Sequence, residues 1–167
     1  MRTLQTAVVF VAMTAAALAA AAAYQPVAFS ALSNYEYELP DPLEPSSKVP
    51  KNVIPASVRA LNGKMIEIEG FMLPLDLTPE GVSVFMLNAS LDLCYFGAPV
   101  RMNEWVLVKM KAGTRAKFTH LATTVKGRFE VGEEMRNGRV TSLYRLVADV
   151  VVLPRWPWRD RDGRWFQ

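Results

Sequence analysis

The sequence predicts a mainly β fold, a small five-stranded OB-like barrel with a short helical turn, placed after an N-terminal signal or anchor segment. Three observations predict it. Apolar and polar residues alternate in several short segments, with the two-residue period of half-buried strands. Asn137-Gly138, a pair that favours two-residue hairpin turns, separates two of these segments. No long amphipathic helical pattern occurs in the 167 residues.

Residues 1–23 have the composition of an export signal. No charged residue lies between Arg2 and Glu36, and Ala7–Ala23 is almost wholly apolar and rich in alanine. Its small residues offer cleavage positions before Tyr24, as in a signal peptide, and place the protein in the periplasm or cell envelope. The alternative is an uncleaved inner-membrane anchor, because about 20 apolar residues cross a bilayer.

Residues 24–54 are predicted to form a Pro-rich extended linker. Its end and the first residue after it hold a cluster of prolines, Pro40, Pro42, Pro45, Pro50 and Pro55. Proline fixes φ and removes a hydrogen-bond donor, so such a stretch is extended and loosely ordered. The barrel is then assigned to residues 55–153 and a C-terminal tail to residues 154–167.

The barrel elements follow in order. Pro55–Leu61 is predicted to be a helical turn, which Asn62-Gly63 ends. From Lys64 to Leu75 the period becomes alternating, with isoleucines on one face and glutamates on the other. Val82–Asn88 and Glu104–Met110 are predicted to be the second and third strands.

A hairpin completes the predicted fold. Val125–Val131 alternates, and Thr141–Leu153 returns with one face made of Leu146, Ala148, Val150 and Val152. We expect Phe129 and Leu146 to be buried. A five-stranded sheet closes on itself because open edges invite unwanted pairing, and glycines within strands permit the bends that closure needs.

Composition excludes some functions. The net charge of +3 is too small to indicate nucleic-acid binding. Cys94 is the single cysteine, so no internal disulfide forms and the fold depends on its core. A closed zinc site needs four ligands, and Cys94 with His120 supplies two, so neither a metal nor a cofactor is predicted.

The candidate functional loop contains Cys94, Tyr95, Phe96, Gly97 and Pro99. One hypothesis is an inert, buried thiol packed with the aromatic rings. The other is a reactive thiol, whose activation requires a nearby cation or base such as His120. No residue is assigned a catalytic role.

The C-terminal tail is the second candidate site. It concentrates tryptophan and arginine, residues favoured at protein interfaces and at membrane surfaces: Arg155, Trp156, Trp158, Arg164 and Trp165. The competing interpretation is that the tail covers an edge of its own barrel.

Three blocks carry a family resemblance. Gly63–Leu75 (GKMIEIEGFMLPL) is similar to the first signature of an exported bacterial family, domain of unknown function 3299. Cys94–Val106 looks like its second block, and Val125–Phe129 with Tyr144–Leu146 looks like its closing hairpin. The resemblance implies a cell-envelope protein without established activity, accessory to an ABC-type envelope transporter.

The function expected from the sequence is that of an exported, non-catalytic binding or accessory module in the cell envelope. Its expected partner is an envelope protein or the membrane surface. The alternative is a thiol-dependent enzyme, or a cofactor or metal carrier, that uses Cys94 and His120. A fold by itself does not decide between these functions.

Overall fold

The computed structural model describes residues 24–39, 53–91 and 101–154. These residues form six strands, β1 (Gln25–Val27), β2 (Met65–Pro74), β3 (Val84–Asn88), β4 (Trp105–Met110), β5 (Thr123–Arg136) and β6 (Arg139–Val152). The two helices are short, α1 (Phe29–Ser33) and α2 (Ala56–Arg59). The predicted mainly β fold is confirmed. No helix in the described ranges is both long and apolar enough to span a membrane.

Five strands pair in a closed ring, in the order β2–β3–β4–β6–β5 and back to β2. The β4–β6 pair is parallel, and the other four pairs are antiparallel. The amide of Leu75 bonds to Val84, and the register then leads around the ring to Met65, by way of Lys109, Val147 and Arg128. A path along paired residues that starts at Leu75 of β2 therefore comes back to β2 at Met65, which is earlier in the strand. This offset is the stagger that a closed sheet requires. The predicted five-stranded OB-like arrangement is therefore confirmed.

The hairpin between β5 and β6 forms as predicted. Asn137 and Gly138 have φ angles of 52° and 75°, the left-handed pair of a type I′ turn. Phe129 and Leu146 lie opposite each other in the ladder, and both are fully buried. Their side chains fill the inside of the ring.

A bulge makes one sequence prediction wrong. Lys126 pairs with Val150 and Gly127 pairs with Ala148, so Asp149 is the extra residue of β6. The bulge shifts the alternation by one residue. Val150 and Val152 therefore face solvent, 45% and 44% exposed, instead of continuing the buried face.

The start of the predicted linker is also corrected. Within residues 24–39, β1 pairs in parallel with β2, on the edge opposite β5. The next turn, α1, buries Phe29 and Leu32, whose spacing of three residues puts both on one helical face. An added Cβ at Gly70 would lie 2.8 Å from the aromatic side chain of Phe29. Helix α1 therefore packs over one end of the closed ring of strands. Residues 40–52 of the predicted linker lie outside the described ranges.

The helical turn is shorter than predicted. Pro55 precedes α2 as its N-cap, and Gly63, at a φ of 77°, ends the turns that follow the helix. The alternation in β2 is as expected, because Ile66 and Ile68 are buried and Glu69 is exposed.

Candidate functional site

The predicted functional loop and tail both lie outside the described residues. This applies to Cys94, Tyr95, Phe96, Gly97 and Pro99, and to Arg155, Trp156, Trp158, Arg164 and Trp165. Their roles stay predictions, as does that of the export segment, residues 1–23. The remaining candidate, His120, is exposed, and its ring contacts Phe118 edge-on with centroids 4.6 Å apart. Within the described ranges, no three His, Cys, Asp or Glu side chains are grouped closely enough to hold a metal ion.

An apolar strip runs across the outer face of the ring. In one row Leu73 pairs with Met86 and Met86 with Leu107; in the next, Val84 pairs with Lys109 and Lys109 with Val147. These side chains point outward because they alternate with fully buried core residues such as Phe85 and Val108. We call Leu73, Val84, Met86, Leu107 and Val147 the outer strip.

The outer strip is partly accessible and has a charged border. Leu73 and Val147 are exposed, whereas Val84, Met86 and Leu107 are half-buried. On its β6 side, Arg145 donates a hydrogen bond from Nε to Glu130 Oε2 at 3.1 Å. Lys109 is exposed within the second row.

This strip was not predicted from the alternation of apolar and polar residues, although the sequence contains a signal for it. Val84–Leu87 and Trp105–Val108 are apolar at every position. A continuous apolar run indicates a strand with two apolar faces, whereas a face exposed to water alternates with polar residues. One of those faces lines the core, and the other forms the outer strip.

Two loops meet at the end of the ring away from α1. Residues 75–83 connect β2 to β3, and residues 111–122 connect β4 to β5. Val82 and Ala116 exchange both backbone hydrogen bonds at 2.9 Å. Arg115 Nη1 donates to the Gly81 carbonyl at 3.1 Å. We call these paired loops the loop end.

The loop end carries apolar and basic side chains together. Leu75 and Leu77 are 55% and 56% exposed. The 111–122 loop contains the cations Lys111, Arg115 and Lys117 and no acidic residue, whereas the 75–83 loop contains Asp76 and Glu80. The basic charge of the loop end is therefore concentrated on one of its two loops.

A groove of about 420 Å³ opens on the loop end. Three cations line it, Lys109, Lys111 and Arg115, together with the polar residues Ser83 and Thr114 and with several apolar and small residues. Arg115 Nη1 lies 3.6 Å from Asp76 Oδ2, beside the groove. Hydrogen bonds from the Ser83 side chain and the Val84 amide hold the pKa of Asp76 below its ordinary value.

The bulged Asp149 links three parts of the fold. It pairs with Lys111 of the loop end and accepts a hydrogen bond from the Tyr24 hydroxyl. The hydrogen bond from Lys111, followed by that from Tyr24, lowers the pKa of Asp149. Lys126 lies 5.6 Å from the centre of the Tyr24 ring and pairs with Glu67 on β2. This cluster fastens β1 to the ring.

A groove of about 600 Å³ lies beside β1 and is lined partly by Glu67 and Glu69. The two carboxylates lie on the outer face of β2, as the sequence predicts for a solvated strand face. Because Glu67 already pairs with Lys126, the two carboxylates do not form an isolated acid–base pair.

Buried Tyr144 and half-buried Tyr35 hold residues 24–39 in place. Tyr144 donates a hydrogen bond to the Leu32 carbonyl at 2.8 Å, so its oxygen accepts from the Tyr35 hydroxyl at 2.6 Å. Burial raises the pKa of Tyr144 far above its ordinary value. Asn103 Nδ2 donates to the Tyr35 carbonyl at 2.7 Å. These groups are engaged with one another, which indicates a structural role.

Comparison with known proteins decides the family. Residues 43–152 match the family model described as protein of unknown function (DUF3299). The chain belongs to the DUF3299 family. The match covers all five strands of the ring and omits β1 and α1, so the DUF3299 signature describes the ring itself.

The fold is similar to the crystal structure of a DUF3299 family protein from Pseudomonas aeruginosa PAO1. The TM-score is 0.58 at 21% sequence identity, over 81% of this chain and 99% of that chain. At this identity the likeness shows a shared fold alone. No curated protein matches the chain.

Proposed function

We propose that this DUF3299 protein is an exported binding or accessory module of the cell envelope, which acts by docking a partner and not by catalysis. The outer strip is the observation that carries the proposal. A sheet face in water normally presents polar residues, but here five apolar side chains lie together on two neighbouring rows. Apolar side chains grouped on a surface mark a site of interaction.

The partner at the outer strip is a protein of the envelope. Half-buried Met86 and Leu107 occupy the middle of the first row, and the Arg145–Glu130 pair supplies charge at its border, whereas Lys109 lies within the second row, between Val84 and Val147. An apolar centre with a polar rim is the usual anatomy of a protein interface. The family resemblance makes a component of an ABC-type envelope transporter the first partner to test.

Export is part of the proposal and is supported by the uncharged, alanine-rich Ala7–Ala23 segment. Fractionation of the native host should place the protein in the periplasm or attached to the membrane, and a purely cytoplasmic pool would contradict it. N-terminal sequencing distinguishes a signal peptide cleaved near Ala23 from an intact anchor.

Site-specific photo-crosslinking in the native host tests the docking surface. A photoreactive residue replaces Leu73 or Leu107 in turn, and the control replaces Val53, which is apolar, 69% exposed and lines a different groove, with Arg59 and Glu133. We expect the same discrete protein adduct from both strip positions and none from the control. Equal adducts from all three positions, or none from the strip, would refute the proposal.

The alternative, a thiol-dependent enzyme or carrier that uses Cys94 and His120, stays a prediction, because Cys94 lies outside the described residues. Rapid, stoichiometric thiol labelling of the folded protein at neutral pH would support it.

A further inference from the structure

We propose that the loop end binds the surface of a membrane that contains anionic phospholipid. In this arrangement Leu75 and Leu77 enter the apolar boundary of the lipid layer, and the basic groove accepts headgroup phosphates. This surface adjoins the outer strip but contacts a different partner, so the inference goes beyond the proposed function.

The exposed leucines provide the first argument. Leu77 lies in the β2–β3 loop and Leu75 begins it, and both leave more than half of their surface in water. Leu73, at the end of β2, is exposed next to them. Apolar side chains beside basic ones are the pattern by which peripheral proteins lie on membranes.

The distribution of charge provides the second argument. Asp149 and Asp76 partly neutralise Lys111 and Arg115, and the exposed Glu80 also interacts with Arg115. No carboxylate of the described residues pairs with Lys109 or Lys117, both of which are exposed. The negative potential of an anionic membrane attracts such surface cations.

The groove provides the third argument, because it brings the right donors together. Lys109, Lys111 and Arg115 line one groove. Ser83 and Thr114 line it as well, but their hydroxyls already donate to Asp76 and to the Lys111 carbonyl, so the three cations are the donors for a phosphate. Lysine and arginine are the side chains that bind phosphate most strongly, by charge-assisted hydrogen bonds. A free phosphate would use the same donors, but it would leave Leu75 and Leu77 exposed, so the adjacent leucines favour a phospholipid.

The opposite end of the ring supplies a matched control. Met135, at the tip of the β5–β6 hairpin, is 56% exposed, the same fraction as Leu77. It pairs with Val140, and the loop end joins β6 at Ala148, where Lys111 donates its amide to the Ala148 carbonyl. The two positions on β6 are roughly 26 Å apart along an extended strand, since each residue advances about 3.3 Å.

Fluorescence from a single labelled position tests membrane contact. The full chain carries Cys94→Ser together with either Leu77→Cys or Met135→Cys, and the introduced thiol bears an environment-sensitive dye. Vesicles contain phosphatidylcholine, either alone or mixed with phosphatidylglycerol. The predicted anchor, residues 1–23, would attach the chain to both kinds of vesicle. The quantity compared is therefore the shift in emission wavelength of each dye and not total binding.

We expect a blue shift at position 77 with the phosphatidylglycerol vesicles, reduced by high salt, and little shift at position 135. An equal shift on phosphatidylcholine alone, or an equal shift at both positions, would overturn the proposal. The absence of a shift at position 77 would overturn it as well, whatever crosslinking at the outer strip shows. Inorganic phosphate serves as a separate probe: if it binds the groove while position 77 shows no shift on vesicles, the site is for free phosphate.

Charge removal tests the basic surface of the loop end. Lys109→Gln combined with Lys117→Gln should weaken the response to phosphatidylglycerol vesicles about tenfold or more, since each surface cation adds about 1 kcal/mol and tenfold corresponds to about 1.4 kcal/mol. The matched control, Arg136→Gln with Arg139→Gln, removes two exposed cations from the hairpin tip and should leave the response unchanged. Equal losses in both pairs would show that net charge alone governs binding and would refute a localised site.

Discussion

The Tyr24 hydroxyl donates a hydrogen bond to Asp149 Oδ2 at 3.0 Å, which joins residues 125 positions apart in the sequence. The other carboxylate oxygen of Asp149 pairs with Lys111. Asp149 is the bulged residue of β6, and its carboxylate therefore connects Tyr24, which precedes β1, with Lys111 of the loop end and with the last strand.

Asp149→Asn should lower the unfolding midpoint at neutral pH, because it removes the charge that pairs with Lys111. The native pKa of Asp149 lies below its ordinary value of 3.8. Its stabilising effect is therefore present above that pH and is lost as the pH falls through the lowered pKa. Thermal unfolding at pH 7 and at about pH 3 should show a difference from the wild type at pH 7 that shrinks at the acidic pH.

Glu69→Gln is the control for that experiment, since Glu69 is exposed on β2. It should change the midpoint little at pH 7. If the effect of Asp149→Asn persisted undiminished at the acidic pH, the stabilisation would come from packing or hydrogen bonding and not from the ionised carboxylate.

Phe129→Ala should destabilise the fold strongly. The Phe129 ring is fully buried inside the closed ring and lies 5.6 Å, centre to centre, from that of Tyr144. Removing such a ring leaves a cavity and costs about 3–5 kcal/mol. Urea unfolding measures the loss, and Met135→Ala, at an exposed apolar site, should cost little by comparison. A loss below about 1 kcal/mol would contradict a packed interior at Phe129.

Gly127→Ala should be more harmful than Gly138→Ala, although both replace a glycine of the hairpin. A Cβ at Gly127 would lie 2.1 Å from the Val147 carbonyl oxygen, so the backbone at the bulge must move. We expect about 3 kcal/mol there, since overpacking of a fixed backbone carries costs of this size. At Gly138 the space is open, and the left-handed φ of 75° costs about 1–2 kcal/mol. Equal free energies of unfolding for the two variants would argue against the close approach at Gly127.

Tyr144→Phe should cost about 1–3 kcal/mol, because it leaves the Leu32 carbonyl without its donor inside the protein. Tyr35→Phe should cost less, since Tyr144 keeps its bond to Leu32 and loses only the donor from Tyr35. Chemical denaturation of both variants and of the double variant measures the coupling between the two hydroxyls. Fully additive effects would contradict a shared network.

Much of the ring was predictable because its causes are local. The alternation from Met65 to Glu69 places isoleucines inward, and a turn that needs two positive φ angles selects Asn137-Gly138. The candidate site was much less predictable. Lys111 and Arg115 follow β4, whereas Leu75 and Leu77 follow β2, and the sequence does not indicate that these two loops pair.

The sequence by itself determined the mainly β class, the hairpin, the burial of Phe129 and Leu146, and the family. The first three follow from periods and turns that involve only neighbouring residues, and the family follows from the resemblance of three sequence blocks. Tertiary structure alone decided the outward positions of Val150 and Val152, because a single extra residue at Asp149 exchanges the two faces of β6. It also decided that residues 24–39 pack on the ring, since that depends on a free edge of β2 and an open ring end that exist only after the other strands have paired.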